Sequence, residues 1–310
     1  MINSKVEKKI AVCIASYKRP EGLSRLLNSL RNLEFKKCAK PEWYVIVVDN
    51  DQEGSASSVI EEIRQSFSAP IKYYVEPIKG IASARNKAVR EAQVADFVAY
   101  IDDDEVDKSD WLDELLYVQS QYGADVVSGP VEYLFEHEPP KWILRGKFFS
   151  RTNDSTGKKL KYSATNNILI KNKWLYAFEG PFDMRLNLTG GEDTLFSAKI
   201  FQHGASGFWA EDAVVHEYVP QSRMTASWII HRKWRYGLTL GTMELLMEKP
   251  IHIKVLRIMK GLLHIILSIL LLLPLSLYLG YAGLITSLGR FYFGLGQIMG
   301  LFGLNYDEYK

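Results

Sequence analysis

Short apolar runs alternate along the first hundred residues with segments whose leucines and isoleucines recur every three or four positions. Residues 10–15 form a compact apolar run with strand character, closed by Ser16-Tyr17-Lys18-Arg19-Pro20. Leu23, Leu26, Leu27 and Leu30 follow at helical spacing, and Pro20 suits a first helical turn. A β-branched run at 45–48 stops at Asp49-Asn50-Asp51, a helix is predicted near 57–67, and a third strand at Ile71–Val75. Gly80 opens a helix to residue 92, and Phe97–Ile101 is a fourth strand ending at Asp102. Strands alternating with helices predict an α/β fold with a mainly parallel sheet, right-handed crossovers and helices on both faces.

Beyond a helix predicted at Trp111–Tyr122 the pattern loosens. Residues 126–135 and 165–170 read as strands, separated by 136–162, a stretch rich in Pro, Gly, Lys and aromatics. An irregular insertion of that length in a compact domain is usually a functional lid or a disordered segment. A helix over 194–203, stopped by Gly204, a strand over 208–215 and a long amphipathic helix over 225–247 complete the polar part of the chain.

Charge changes the picture in two ways. The 310 residues carry 38 Lys and Arg against 36 Asp and Glu, a net +2 that argues against a dedicated nucleic-acid binder. The mean hydropathy of −0.10 averages two unlike parts, because residues 261–289 contain no Lys, Arg, Asp or Glu. At 1.5 Å per residue that stretch is long enough to cross a hydrocarbon core, with Pro274 as a kink or a turning point. Just upstream, 231–260 holds Arg232, Lys233, Arg235, Lys249, Lys254, Arg257 and Lys260 against only Glu244 and Glu248. Positive charge beside an apolar segment marks the cytoplasmic side and attracts anionic headgroups. The start, 1–9, lacks the apolar core of a secretory signal, and two cysteines make no disulfide framework, so a cytosol-facing protein at the cytoplasmic membrane is expected. The expected division is 1–222 catalytic, 223–260 basic and interfacial, and 261–306 a membrane-embedded helix or hairpin.

Ligands of open α/β sheets bind at the carboxyl ends of the strands. Polar groups cluster at three of the predicted ends: Ser16 to Arg19, Asp49 to Asp51, and Asp102-Asp103-Asp104. Tyr17 can stack on a base, and Asp49 or Asn50 can accept from an imide N–H. Carboxylates packed on one strand end repel unless a cation joins them, and hard oxygen ligands suit Mg²⁺ or Mn²⁺. The same triplet can equally be a solvated turn before the next helix. Arg85, in the first turns of the helix after Gly80, can reach a phosphate or the acidic cluster. Gly190-Gly191-Glu192-Asp193 precedes another helix, where the two acids serve either as helix-start residues or as a general base and its neighbour. His216 is a candidate metal ligand or a structural histidine. No Walker lysine loop or dinucleotide glycine pattern is present.

Taken in order, Ala15-Ser16-Tyr17-Lys18-Arg19-Pro20, Val48-Asp49-Asn50-Asp51, residues 82–86, residues 101–105 and residues 190–193 resemble the family 2 glycosyltransferases of the GT-A fold over residues 8–220. Within them the chain is similar to bacterial exopolysaccharide enzymes of the succinoglycan β-glucosyltransferase type. The resemblance implies a nucleotide-sugar donor, a UDP-sugar by expectation, with Mn²⁺ or Mg²⁺ as cofactor and inversion at the anomeric carbon. Ala15, Ser16, Tyr17, Arg19, Asp49, Asn50, Arg85, Asp102 and Asp103 then match nucleotide-sugar contacts. Asp102, Asp104 and His216 match the metal ligands, and Asp193 the catalytic base with Glu192 beside it. The Gln-x-x-Arg-Trp signature of processive synthases is replaced by Ile230-His231-Arg232-Lys233-Trp234, which implies single addition to a lipid-linked saccharide at the membrane. A polyprenyl-phosphate sugar synthase and a catalytically silent nucleotide-sugar-binding scaffold are the alternatives.

Overall fold

The structure, a computed structural model, describes residues 8–304 and 306–308. Contacts divide it into two compact units. One contains the described residues up to Glu132 together with Arg151–Glu217; the other contains Tyr133–Ser150 and Tyr218–Glu308. In chain order the strands are β1 (Lys9–Ser16), β2 (Glu42–Asp49), β3 (Ile71–Val75), β4 (Phe97–Ile101) and β5 (Glu105–Asp107). They continue as β6 (Val126–Ser128), β7 (Val131–Phe135), β8 (Asn167–Lys171), β9 (Gly207–Trp209) and β10 (Val215–Val219). Helices α1 (Pro20–Leu30), α2 (Ser57–Arg64), α3 (Ile81–Glu91), α4 (Trp111–Tyr122), α6 (Asn172–Leu175) and α7 (Glu192–Gln202) belong to the first unit, and α5 (Lys141–Gly146), α8 (Ala226–Leu246), α9 (Ile251–Leu279) and α10 (Tyr281–Leu301) to the second.

A seven-stranded sheet runs β3-β2-β1-β4-β8-β6-β9, and a three-stranded one β5-β10-β7. In the large sheet β3, β2, β1 and β4 are mutually parallel, β8 is antiparallel to both its neighbours, and β6 and β9 are parallel. The strands alternate between two cores because successive side chains point to opposite faces. Ile10, Val12 and Ile14 of β1 join one core with the α1 leucines and with Leu112 and Leu115 of α4. Ala11 and Cys13 join the other with Ala84 and Ala88 of α3 and Phe196 of α7. The four leucines of α1 are completely buried, which stabilises the unit by roughly 1.5–3 kcal/mol each.

Two expected strands prove to be pairs. Residues 126–135 divide at Gly129-Pro130 into β6 in the large sheet and β7 in the small one, and 208–215 divide into β9 and the start of β10. Proline has no N–H to continue a ladder, and Asn167 Nδ2 donates to the Pro130 and Ala213 carbonyls at 3.0 and 2.7 Å, tying the two crossover points together. The short β5 carries no apolar pattern and was not expected.

The second unit also departs from its sequence pattern. α9 starts at Ile251, so the basic residues 251–260 are the first turns of the apolar helix rather than a separate element. Pro274 lies inside α9 without ending it; the chain turns instead at Gly280, whose φ is 63°. α9 is, among the described residues, the helix long and apolar enough to cross a membrane. Backbones approach closely in this unit: a Cβ on Gly237 of α8 would lie 2.3 Å from the Phe293 carbonyl oxygen, and one on Gly261 of α9 2.7 Å from that of Gly294.

In the first unit Asp107 of β5 faces α1 from a buried position. Its Oδ1 contacts the Ser29 hydroxyl, and that oxygen also lies 2.8 Å from the Leu26 carbonyl and accepts the Asp107 N–H at 3.3 Å. One hydroxyl hydrogen cannot serve both acceptors, and burial pushes the Asp107 carboxyl up to about 7. The folded state therefore holds a proton that the unfolded chain has lost above about pH 4. This contribution to stability is complete below that pH and is lost as pH rises towards 7. Asp107→Asn should remove this part of the pH dependence, leaving the variant more stable than wild type at pH 8 by up to about 4 kcal/mol. Urea unfolding of the full chain at pH 5 and 8 checks it.

Candidate active site

The parallel strands bring the ends of β1, β2 and β4 to one edge, with Ser16 in register with Asp49. The β4 end is an acidic turn resting on the start of α1: a Cβ on Gly22 would lie 2.5 Å from the Asp103 carbonyl oxygen, so only glycine lets the turn sit there. Ser16 Oγ donates to Asp103 at 2.8 Å, and Arg19 reaches Asp103 and Asp104 at 3.1 and 3.0 Å. Burial lifts the Asp103 carboxyl to about 6 despite Arg19. Tyr17 is 36% exposed, and the ammonium groups of Lys18 and Lys79 stand 5.5 and 5.2 Å from its ring centre. A partly exposed aromatic with two ammonium groups over its ring suits a base that carries phosphates. Ala15 lies at the end of β1 beside this group.

Asp49 and Asn50 turn inward. Asp49 accepts the N–H groups of Asp51 and Ala56 at 3.0 and 2.7 Å and the Tyr73 hydroxyl at 2.9 Å. Asn50 donates to the Glu76 and Ile78 carbonyls at 2.9 and 2.8 Å and accepts from Gly80 N–H at 2.6 Å. Both amide hydrogens of Asn50 are thus taken by the loop that leads into α3.

Arg85, on α3 and buried, links three elements. It pairs with Glu192 at the start of α7 and donates to Asp102 at 3.3 Å. Gly190 and Gly191, at φ 74° and 89°, bring α7 in through two successive left-handed residues, a conformation costly for any residue with a Cβ. Glu192 is 1% exposed, its Oε2 has no hydrogen-bond partner among the described residues, and burial raises its carboxyl to about 7 even beside Arg85. Asp193 accepts Thr165 N–H at 3.3 Å and Thr194 N–H and hydroxyl at 2.6 and 3.1 Å. Water still reaches 40% of the Asp102 side chain, but protein crowds its other sides. Its carboxyl is raised by that crowding and, against the pull of Arg85, by the charges of Asp104 and Asp193. The two acidic segments, ninety residues apart in sequence, therefore share one electrostatic site.

Sequence reasoning missed several groups. Glu105, fully buried, accepts Asp102 N–H at 3.0 Å and Asn166 Nδ2 at 3.1 Å, and burial beside Asp102 and Asp104 holds its carboxyl well above the ordinary range. Asn167 accepts Trp111 Nε1–H at 2.8 Å. The polar pair Asn166-Asn167 heading an apolar run was the available signal. His216 lies on β10 opposite Val106, 3.3 Å from Glu132, which also holds Arg151. Among the described residues no three His, Cys, Asp or Glu side chains gather closely enough to hold a metal, so Asp102, Asp104 and His216 do not form a cage of protein ligands alone. Two carboxylates on an accessible strand end do suit a hard divalent ion that takes its other ligands from water and phosphate.

A nucleotide-sugar fold with acids at these strand ends is the architecture of a GT-A glycosyltransferase. The chain belongs to glycosyl transferase family 2: the model of that family matches residues 11–178, and that of glycosyl transferase family group 2 matches 97–302. It is 34% identical over 249 residues to the succinoglycan biosynthesis protein ExoM of Rhizobium meliloti, covering 80% of this chain and 78% of that one. The fold is shared with S. aureus TarS 1-349 in complex with UDP, with a TM-score of 0.54 and 17% identity over 97% of this chain and 95% of that one. It is shared also with the mannosyltransferase PcManGT from Pyrobaculum calidifontis in complex with GDP-Man and Mn²⁺, with a TM-score of 0.56 and 18% identity over 76% and 64%.

Removing the buried cation should expose what it compensates. Arg85→Met leaves Glu192 without its counter-charge and should destabilise the protein by about 3–5 kcal/mol at pH 8. Adding Glu192→Gln should recover part of that loss. Urea unfolding of both variants measures the difference.

Proposed function

We propose that the protein transfers one sugar from a UDP-sugar to a polyprenyl-diphosphate-linked saccharide at the cytosolic face of the membrane, with inversion and with a divalent cation, in the synthesis of a bacterial surface polysaccharide. What carries this reading is that Arg85 joins Glu192 to Asp102 while Asp193 acts electrostatically on Asp102, so a base and an acidic strand end share one site. The similarity to a succinoglycan biosynthesis protein supports the pathway class, and the apolar α9 with basic residues in its first turns supports an acceptor presented by lipid.

In this reading Tyr17 stacks on the base, with Asp49 and Asn50 bracing the wall behind it, and Lys18 and Lys79 lie near the phosphates. Asp102 and Asp104 would hold Mn²⁺ or Mg²⁺, which supplies charge neutralisation for the departing diphosphate. Asp193 removes the proton from the acceptor hydroxyl. Its carboxylate is oriented by Thr165 N–H and by Thr194, which leaves one oxygen edge for the incoming O–H. Arg85 and Glu192 position the start of α7, and with it the base. Attack from the side opposite the diphosphate inverts the anomeric carbon and needs no second carboxylate nucleophile.

Asp193→Asn should lower turnover by about 10²- to 10⁴-fold with UDP affinity retained. Near-normal turnover would point to an acceptor such as a bare lipid phosphate, which needs no base. Asp104→Ala should abolish the Mn²⁺-stimulated part of UDP binding, measured by calorimetry with and without the metal; unchanged affinity would remove Asp104 from the metal site.

A further inference from the structure

The three long helices of the second unit fix how it can meet a lipid bilayer. Met259, Leu263, Ile266, Leu270, Leu273 and Leu277 are each more than half exposed and recur every three to four residues, so one apolar stripe runs nearly the whole length of α9. The opposite face of α9 packs on α10: Gly261 lies against Gly294, and Leu275 against Gly283. α10 in turn packs on α8, with Gly289 against Lys233, Gly296 against Trp234 and Leu238, and Gly300 against Leu238 and Thr242. α9 and α10 are therefore antiparallel, while α10 and α8 run in the same direction.

These contacts place charges level with the apolar helix. On α10, Gly289 lies between the residues that touch Leu275 and Gly261, so the Lys233 side chain of α8 stands level with the charge-free stretch 261–279, inside its first half. Arg232 and, on α10, Arg290 share that level, each one residue away along its helix. If α9 crossed a bilayer upright, these three cations would lie within the hydrocarbon core, where each is costly. A bundle that exposes a wide apolar arc on α9, Leu262 and Ile269 included, and carries cations on the helices behind it instead suits the plane of the interface. Both ends of the bundle are polar as well. Glu248 and Lys249 form the α8–α9 turn. At the other end α5 packs on the α9–α10 turn: Trp142 lies 5.3 Å from Tyr281, and Arg145 donates to the Tyr278 carbonyl.

We infer that α9 lies in one leaflet of an anionic phospholipid bilayer, monotopically, with its apolar stripe among the acyl chains and both ends on the same side. Lys260, on α9 itself, is exposed beside the stripe and would face the headgroups. This topology rests on the membrane association proposed above and adds to it that no segment of the bundle crosses.

The test uses the full chain in a Cys38→Ser background, Cys13 being buried in the core. Glu248→Cys reports one end of the bundle and Lys141→Cys the other. Each variant is added from outside to preformed phosphatidylglycerol–phosphatidylcholine vesicles and treated with a membrane-impermeant maleimide. Both positions should label fully without detergent, and a fluorophore on Ile266→Cys should shift to the blue on vesicle binding while one on Lys233→Cys does not. Labelling of either end only after detergent would overturn the in-plane topology while leaving membrane association intact. Failure to float with the vesicles would overturn both.

Discussion

A guanidinium group held among carboxylates is the constraint around which the first unit is arranged. Arg85 sits on the first turns of α3, buried, with Glu192 on one side and Asp102 on the other. An unpaired charge at this depth would be strongly destabilising, so α3, the end of β4 and the start of α7 must come together for any of them to be stable. Chain segments far apart are thereby locked into one edge of the sheet. The neighbouring loops are shaped to match: Gly22 admits the acidic turn, and Gly190 and Gly191 deliver α7.

Even with Arg19 and Arg85 in place, the acids outnumber the cations that face them. Asp103 and Glu192 titrate near 6 and 7, Asp102 is raised, and Glu105 lies well above its ordinary value. Such a cluster holds protons more tightly than water would, and a divalent ion is the other means of relieving the same repulsion. The site is thus biased towards cationic and proton-donating partners by its own composition, without a preformed cage. His216 takes no part in that bias; it is engaged with Glu132 on the small sheet.

Much of this was legible from residue order alone. The β1 to β4 strands and the helices between them were visible because each is buried on a regular face, and burial writes its period into the sequence. Ser16 to Arg19, Asp49 to Asp51, the acidic triplet and Glu192-Asp193 stood out because polar groups at the ends of apolar strands are conspicuous. Less visible were β5, which has no apolar pattern, and the breaks that split 126–135 and 208–215 between sheets. Those breaks depend on what Asn167 holds from across the fold, and no local pattern records that. Asn50 shows the same limit: its place at a strand end does not reveal that its amide hydrogens go to the Glu76 and Ile78 carbonyls and that its oxygen accepts the Gly80 N–H.

The chain by itself determined an α/β fold, its family and an apolar C-terminal segment, since these follow from periodicity and from short motifs. Tertiary structure alone decided which charges meet. Arg85 joins two acids ninety residues apart in the chain, and Lys233 lies level with the middle of α9. The physical reason is that Coulomb and desolvation energies depend on distances through space and on depth below the surface, and neither is a function of separation along the chain.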